Sequence, residues 1–182
     1  SAKISVRYPL IELTTAAIFT FLYLRYGLTP QVFMLALLAV MLLIMIVADL
    51  EHFIIPDSVH VILLPLGLAY HYASGRLSLD MLWSFGLMTG LALLLHYGYS
   101  ALRGRTMLGF GDVKFFAVVG VWLNLGAIPV FLFTAGVLGV VLGLLWRALG
   151  RGEVFPFGPA LAIALFLCVL YPQITNMLFF IK

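Results

Sequence analysis

From Gln31 to Ala48 the chain runs without a single charge, and no other feature limits its fold as much. Crossing the hydrocarbon of a bilayer as a helix takes about 20 predominantly apolar residues. Several more runs of this kind follow. They are continuous, whereas the strands of a membrane barrel alternate apolar with polar residues. Open strands are excluded as well, because their unpaired backbone groups find no water in lipid. Over all 182 residues, 64% are apolar and 9% charged, and the mean hydropathy is +1.18. A soluble domain is about half apolar and a quarter charged. The chain therefore reads as an all-α, polytopic membrane helix bundle, with residues 1–182 forming a single domain.

Seven helices are expected: about Leu10–Tyr26, Gln31–Ala48, Ser58–Ala73, Leu79–Leu102, Asp112–Leu123, Ala127–Leu149 and Pro159–Phe180, the last kinked at Pro172. The fifth is short for a full span. Pro56 restricts Ile55 to extended angles, and Asp57 or Ser58 is expected to cap the third helix. In the sixth helix, Gly136, Gly139 and Gly143 make a small-residue face on which another helix backbone could lie closely. Helices that cross in turn place the amino terminus, Asp49–Asp57, Arg103–Lys114 and Arg147–Glu153 on one side. That side holds Lys3, Arg7, Arg103, Arg105, Lys114, Arg147 and Arg151, against Arg25, Arg76 and Lys182 on the other. The positive-inside bias makes the richer side cytoplasmic. The basic residues are dispersed, so no nucleic-acid surface is expected.

Both clusters of acids fall on that side: Asp49-Leu50-Glu51-His52 with Pro56-Asp57, and Gly109-Phe110-Gly111-Asp112-Val113-Lys114. Asp49 and Asp112 are expected to meet as one acid/base pair. Two carboxylates a few ångströms apart share a proton, so one member can take a proton from water while the other polarises a carbonyl. Gly109 and Gly111 are expected to supply backbone angles closed to other residues and room for a substrate strand. Asp112 at a helix start is favoured as an anion by the helix dipole.

Spacing alone leaves plainer readings open. Asp112 can be a helix cap after a glycine turn, and Asp49 with Glu51 a solvated helix end. Asp57 reads as a cap and Asp80 as a cap or loop acid on the opposite side. Glu12 reads as a partner of Arg7 or a polar neighbour. Lys114 reads as a snorkelling anchor or as a charge that tunes the pair. His52 would share the face of Asp49 if its helix continues. His60, His71 and His96 have no metal-ligand spacing, and the single cysteine, Cys168, lies in the last apolar run.

These motifs resemble the type IV prepilin peptidases, membrane aspartyl proteases that share a GxGD signature with preflagellin peptidases and presenilin-type proteases. Gly109–Lys114 matches the family's GxGDxK stretch, and Asp49 to Asp57 its first aspartate motif. Ile4-Ser5-Val6-Arg7-Tyr8-Pro9 through Glu12 is similar to the segment entering its second membrane helix, and Pro156-Phe157-Gly158-Pro159 to a late PFGP element. The likeness runs nearly end to end. It implies that Asp49 and Asp112 are catalytic, supported by Gly109, Gly111, Lys114, Glu51 and Asp57. The implied reaction is removal of the leader of prepilins or pseudopilins, after a glycine, at the cytoplasmic face of the bacterial inner membrane. Proteolysis needs no cofactor.

Many members also methylate the new amino terminus with S-adenosylmethionine. Bifunctional members carry a further helix, eight in all, and a zinc-binding loop of paired CxxC motifs before the Ile-Ser-x-Arg-Tyr-Pro segment. The sequence starts at that segment, at Ser1 with no methionine or cleavable signal sequence, so it reads as a fragment or a short member. Proteolysis is the activity expected of it. The competing readings are a preflagellin-type GxGD peptidase and a non-enzymatic transporter or assembly subunit. A transporter would place its polar residues on broken helices at the bilayer midplane.

Overall fold

The computed structural model describes residues 7–104, 108–152 and 154–173. Lys3, Arg105, Glu153, Lys182, the start of the Ile-Ser-x-Arg-Tyr-Pro segment and the expected helix beyond Pro172 lie outside the described residues, as does the side chain of Arg7. Among the described residues all regular structure is helical: α1 Arg7–Tyr26, α2 Pro30–His52, α3 Asp57–Ala73, α4 Asp80–Leu93, α5 Tyr99–Arg103, α6 Phe110–Trp122, α7 Ile128–Ala148 and α8 Gly158–Leu170. A π-helical turn, Leu94–Gly98, joins α4 to α5, so Asp80–Arg103 is one continuous rod and the described residues form seven rods. Three rods are long and apolar enough to cross a membrane: Pro30–His52, Asp80–Arg103 and Leu125–Ala148. Large apolar side chains face outward along them, among them Phe33, Leu82, Trp83, Phe133 and Leu144. A soluble monomer does not carry so extensive an apolar surface, whereas lipid suits it.

Local chemistry sets the helix ends. Thr29 Oγ1 accepts from the Val32 amide and Pro30 supplies the first turn of α2. At the other end Phe53 takes left-handed angles, φ 56°, and its N–H donates to the Asp49 carbonyl. Four residues after Asp49 the helix is thus closed, and Ile54–Pro56 runs on outside it. α8 ends at Leu170; Tyr171 interrupts it, and Pro172 and Gln173 are helical again where the described residues stop.

At the centre stands α6. Val113, Phe115, Phe116 and the run from Val118 to Trp122 are all buried, so the helix is apolar on every side, as an enclosed helix is. It packs against α3, α4 and α8. Gly120 makes the closest approach: a Cβ there would stand 2.6 Å from Phe85 Cα and 2.7 Å from the Ser84 carbonyl oxygen. Trp122 Nε1 donates to the Leu63 carbonyl at 2.9 Å and its ring stacks on Tyr70. Thirteen residues give α6 a length of only about 20 Å. Beyond its far end lies an open cavity of about 250 Å³, lined by residues that include Tyr70, His71, Arg76, Trp122 and Asn124.

The glycines of α7 do not receive a helix. A Cβ on Gly139 would meet the Phe157 ring at 2.6 Å and one on Gly143 the Phe155 ring at 3.3 Å, while Gly136 faces open space. The groove holds two aromatic side chains from the loop ahead of α8.

The two ends of the bundle separate as the alternation of breaks requires. One end joins Asp57 to Lys114, Asp49 to Gly158, and Phe53 to Trp146. The other joins Tyr26 to the Leu170 carbonyl, Gln31 to the Ala73 carbonyl and His71 to the Trp122 carbonyl.

Candidate active site

Asp49 sits in the last turn of α2, facing inward and 6% exposed. Its Oδ2 accepts the Gly158 amide at 2.7 Å. Gly158 begins α8, and only a glycine fits there. A Cβ at 158 would lie 2.7 Å from Asp49 Oδ2 and 3.0 Å from its Cγ. The phenyl rings of Phe155 and Phe157, seated on α7, hold this loop against Asp49. An N–H donated to a carboxylate is the stronger, charge-assisted kind of hydrogen bond.

Asp112 stands in the first turn of α6, which is too short to span the hydrocarbon. Its Oδ2 reaches back to accept the Gly109 amide at 3.2 Å. Gly109 is therefore the cap position, and Asp112 is the acid three residues on that satisfies a free donor. Burial pushes the Asp112 carboxyl up to about 6, and the neighbouring Asp49 carboxylate pushes the same way; the Gly109 hydrogen bond opposes both. The field of Asp49 thus falls on Asp112. Two carboxyl groups 63 positions apart in the chain thus stand within electrostatic reach of each other, each bound by the amide of a glycine.

The glycines of the second motif act by size, contrary to the expectation of unusual angles. Gly109 has φ −63° and ψ 149°, open to any residue, and Gly111 lies within the helix. A Cβ on Gly109 would crowd Asp112 Oδ2 at 3.2 Å, and one on Gly111 would press Ile55 Cβ at 3.2 Å. Gly111 thereby lets the extended Ile54–Pro56 segment lie against the start of α6, which ties the first motif to the second.

Asp57 is the first residue of α3, not its cap; Pro56 holds that position and has no side chain to cap with. The Asp57 carboxylate instead binds Lys114 Nζ at 2.6 Å, and this ammonium holds it below the usual carboxylate range. Lys114 also lies over the Phe110 ring, 5.5 Å from its centroid. Its charge is thus engaged by Asp57 beside the pair. Glu51 and His52 turn outward, their side chains 3.8 Å apart, so His52 does not share the buried face of Asp49. Glu12 is exposed on α1. Asp80 opens α4 at the far end and lines the cavity there. Cys168 is buried in α8. Among the described residues no three His, Cys, Asp or Glu gather as metal ligands, so no ligand set is present there for a zinc ion.

Two histidines that sequence spacing passed over touch the second motif. His60 Nε2 lies 3.1 Å from the Gly111 carbonyl oxygen, and His96 Nδ1 lies 2.7 Å from that of Leu108. The Gly158 amide was equally hidden, since only the PFGP likeness marked the loop.

Comparison with known proteins points to one family. Residues 36–144 match the model of the type IV leader peptidase family. The chain is similar to a prepilin leader peptidase/N-methyltransferase of Neisseria gonorrhoeae, 34% identical over 89% of this chain and 57% of the relative. It is likewise similar to proteins of that description from Legionella pneumophila, 33% identical over 88% and 57%, and Stutzerimonas stutzeri, 34% identical over 96% and 62%. The chain thus spans about three fifths of the length of these relatives. No solved structure matches it. With the match covering more than half of the chain and both aspartate motifs, the chain belongs to the type IV leader peptidase family.

Proposed function

We propose that this chain is a membrane aspartyl endopeptidase that removes the leader of type IV prepilins or pseudopilins. The observation that carries the reading is the electrostatic reach of Asp49 to Asp112 at one end of the bundle, with the Asp112 carboxyl raised to about 6 by burial and by that neighbour. Asp49 takes a proton from a water molecule, whose oxygen attacks the scissile carbonyl carbon. Asp112 gives its proton to the carbonyl oxygen. Collapse of the tetrahedral intermediate breaks the C–N bond, and a proton passes to the leaving amine. The Gly158 and Gly109 amides keep the two carboxyl groups oriented throughout. Cleavage follows a glycine of the prepilin, at the cytoplasmic face of the bacterial inner membrane. The excess of basic residues at the end holding the pair supports that orientation. Glu51 and Asp57, exposed beside the pair, support the site from outside it.

The test is cleavage of a prepilin by membranes containing the chain or its Asp49→Asn or Asp112→Asn variant, read as leader loss on a gel. Each variant is expected to leave the prepilin intact. Full processing by either one sinks the two-aspartate mechanism.

A further inference from the structure

Resting on that reading, we infer that His60 and His96 are positioning residues that hold Leu108–Gly111, and through it Asp112, from two sides. The segment Leu108–Gly109 lies outside any helix, just ahead of α6. A carbonyl oxygen only accepts, so the ring nitrogen facing it must carry the proton. His60 is therefore the Nε2–H tautomer, donating to Gly111, and His96 the Nδ1–H tautomer, donating to Leu108. The two ties come from different elements and use opposite ring nitrogens.

Each histidine is placed for this task. His60 lies on the first turn of α3, 4% exposed, with its ring edge-on to Phe115. Its Nδ1 has no hydrogen-bond partner; Asp57 Oδ1 lies 3.8 Å away and is itself engaged by Lys114 at 2.6 Å. His96 sits in the π-helical turn Leu94–Gly98, against the ring of Phe110. A π turn adds one residue to a helical turn and re-aims the side chain it carries. Here the re-aimed side chain meets the peptide just before the glycine that binds Asp112. With both ties in place, Gly109 is fixed at either side, so its amide stays directed at Asp112 Oδ2.

The tautomers give a test that simple bulk cannot imitate. The amide of glutamine reproduces an Nε2–H donor and that of asparagine an Nδ1–H donor. In the full chain in proteoliposomes, His60→Leu and His96→Leu are expected to lower kcat for prepilin cleavage about tenfold or more with KM little changed, since small misplacement of a reacting group costs roughly this much or more. His60→Gln and His96→Asn are expected to recover most of that loss, while the crossed pair, His60→Asn and His96→Gln, are not. Equal recovery by either amide at both positions, or none by any, overturns the inference.

A second readout does not depend on activity. Imidazole ¹⁵N spectra of the histidine-labelled chain are expected to show His60 protonated at Nε2 and His96 at Nδ1. The reverse tautomer at either ring overturns the inference, and this measurement decides alone for any variant that fails to fold. Wild-type protein that shows the expected tautomers yet cleaves no prepilin refutes the proposed function and leaves the two ties standing.

Discussion

Asp112 should be worth more to the reaction than to the fold, and Asp112→Asn measures both. The carboxyl moves from 3.8 to about 6 on folding, chiefly through burial. Two pH units correspond to roughly 3 kcal/mol against the ionised form. Solvent reaching the partly exposed side chain reduces this to about 1–2 kcal/mol. Asparagine keeps an oxygen for the Gly109 amide and removes the charge. The variant is thus expected to be more stable than the wild type at pH 8, with Tm higher by roughly 2–8 °C for a chain of this size.

The sign follows from proton binding. Between 3.8 and about 6 the folded chain holds a proton that the unfolded chain has released, so wild-type stability falls as pH rises through that window. The advantage of the variant should be complete above about pH 6 and fade as pH falls toward 4. Thermal unfolding in nanodiscs, followed by size-exclusion of a fluorescent fusion at pH 4.5, 6 and 8, resolves this. A variant no more stable than wild type at pH 8, or a gap that does not narrow on acidification, refutes the argument.

Other expectations follow from single contacts. Gly158→Ala places a methyl 2.7 Å from Asp49 Oδ2, so prepilin cleavage should fall at least about tenfold and Tm should drop, overpacking of this kind costing about 1–3 kcal/mol. Gly139→Val should also slow cleavage, although it lies on α7, because it expels the Phe157 ring that seats the Gly158 loop; unchanged kcat would show the loop is held otherwise. Asp57→Asn and Lys114→Gln remove an exposed ion pair, and a double-mutant cycle on thermal stability should give a coupling below about 1 kcal/mol. The rate of cleavage should decline as pH rises through about 6, where Asp112 loses its proton; a profile flat from pH 5 to 8 would remove Asp112 from the role of acid.

The long apolar runs made the bundle legible, because lipid leaves a chain few alternatives. Counting its breaks also brought Asp49 and Asp112 to one end, with Lys114 and Asp57. What stayed hidden depended on packing between distant parts of the chain. The amide of Gly158 is 109 positions from Asp49, and every residue but proline has such a donor, so no local pattern singles it out. His60 and His96 were weighed only as metal ligands; each binds one carbonyl, which no spacing rule describes. Gly109 and Gly111 were read by backbone angle, whereas the neighbours Asp112 and Ile55 decide their size. Asp57 looked like a cap because it begins a helix, yet a lysine from another helix claims it.

The shortness of α6 has a consequence for how water meets the peptide bond. A helix of about 20 Å leaves roughly 10 Å of the hydrocarbon thickness uncrossed. α8 is equally short, but the Asp80–Arg103 rod packed against α6 has 24 residues, about 36 Å, and so overreaches α6 by about 16 Å in all. The far end shows this as the dent beside Trp122 and Asn124. At the near end the same shortfall carries Asp112. On the proposed function, a recess at that end brings water down to the acid, so that hydrolysis takes place beside lipid-embedded peptide while burial still holds the proton of Asp112.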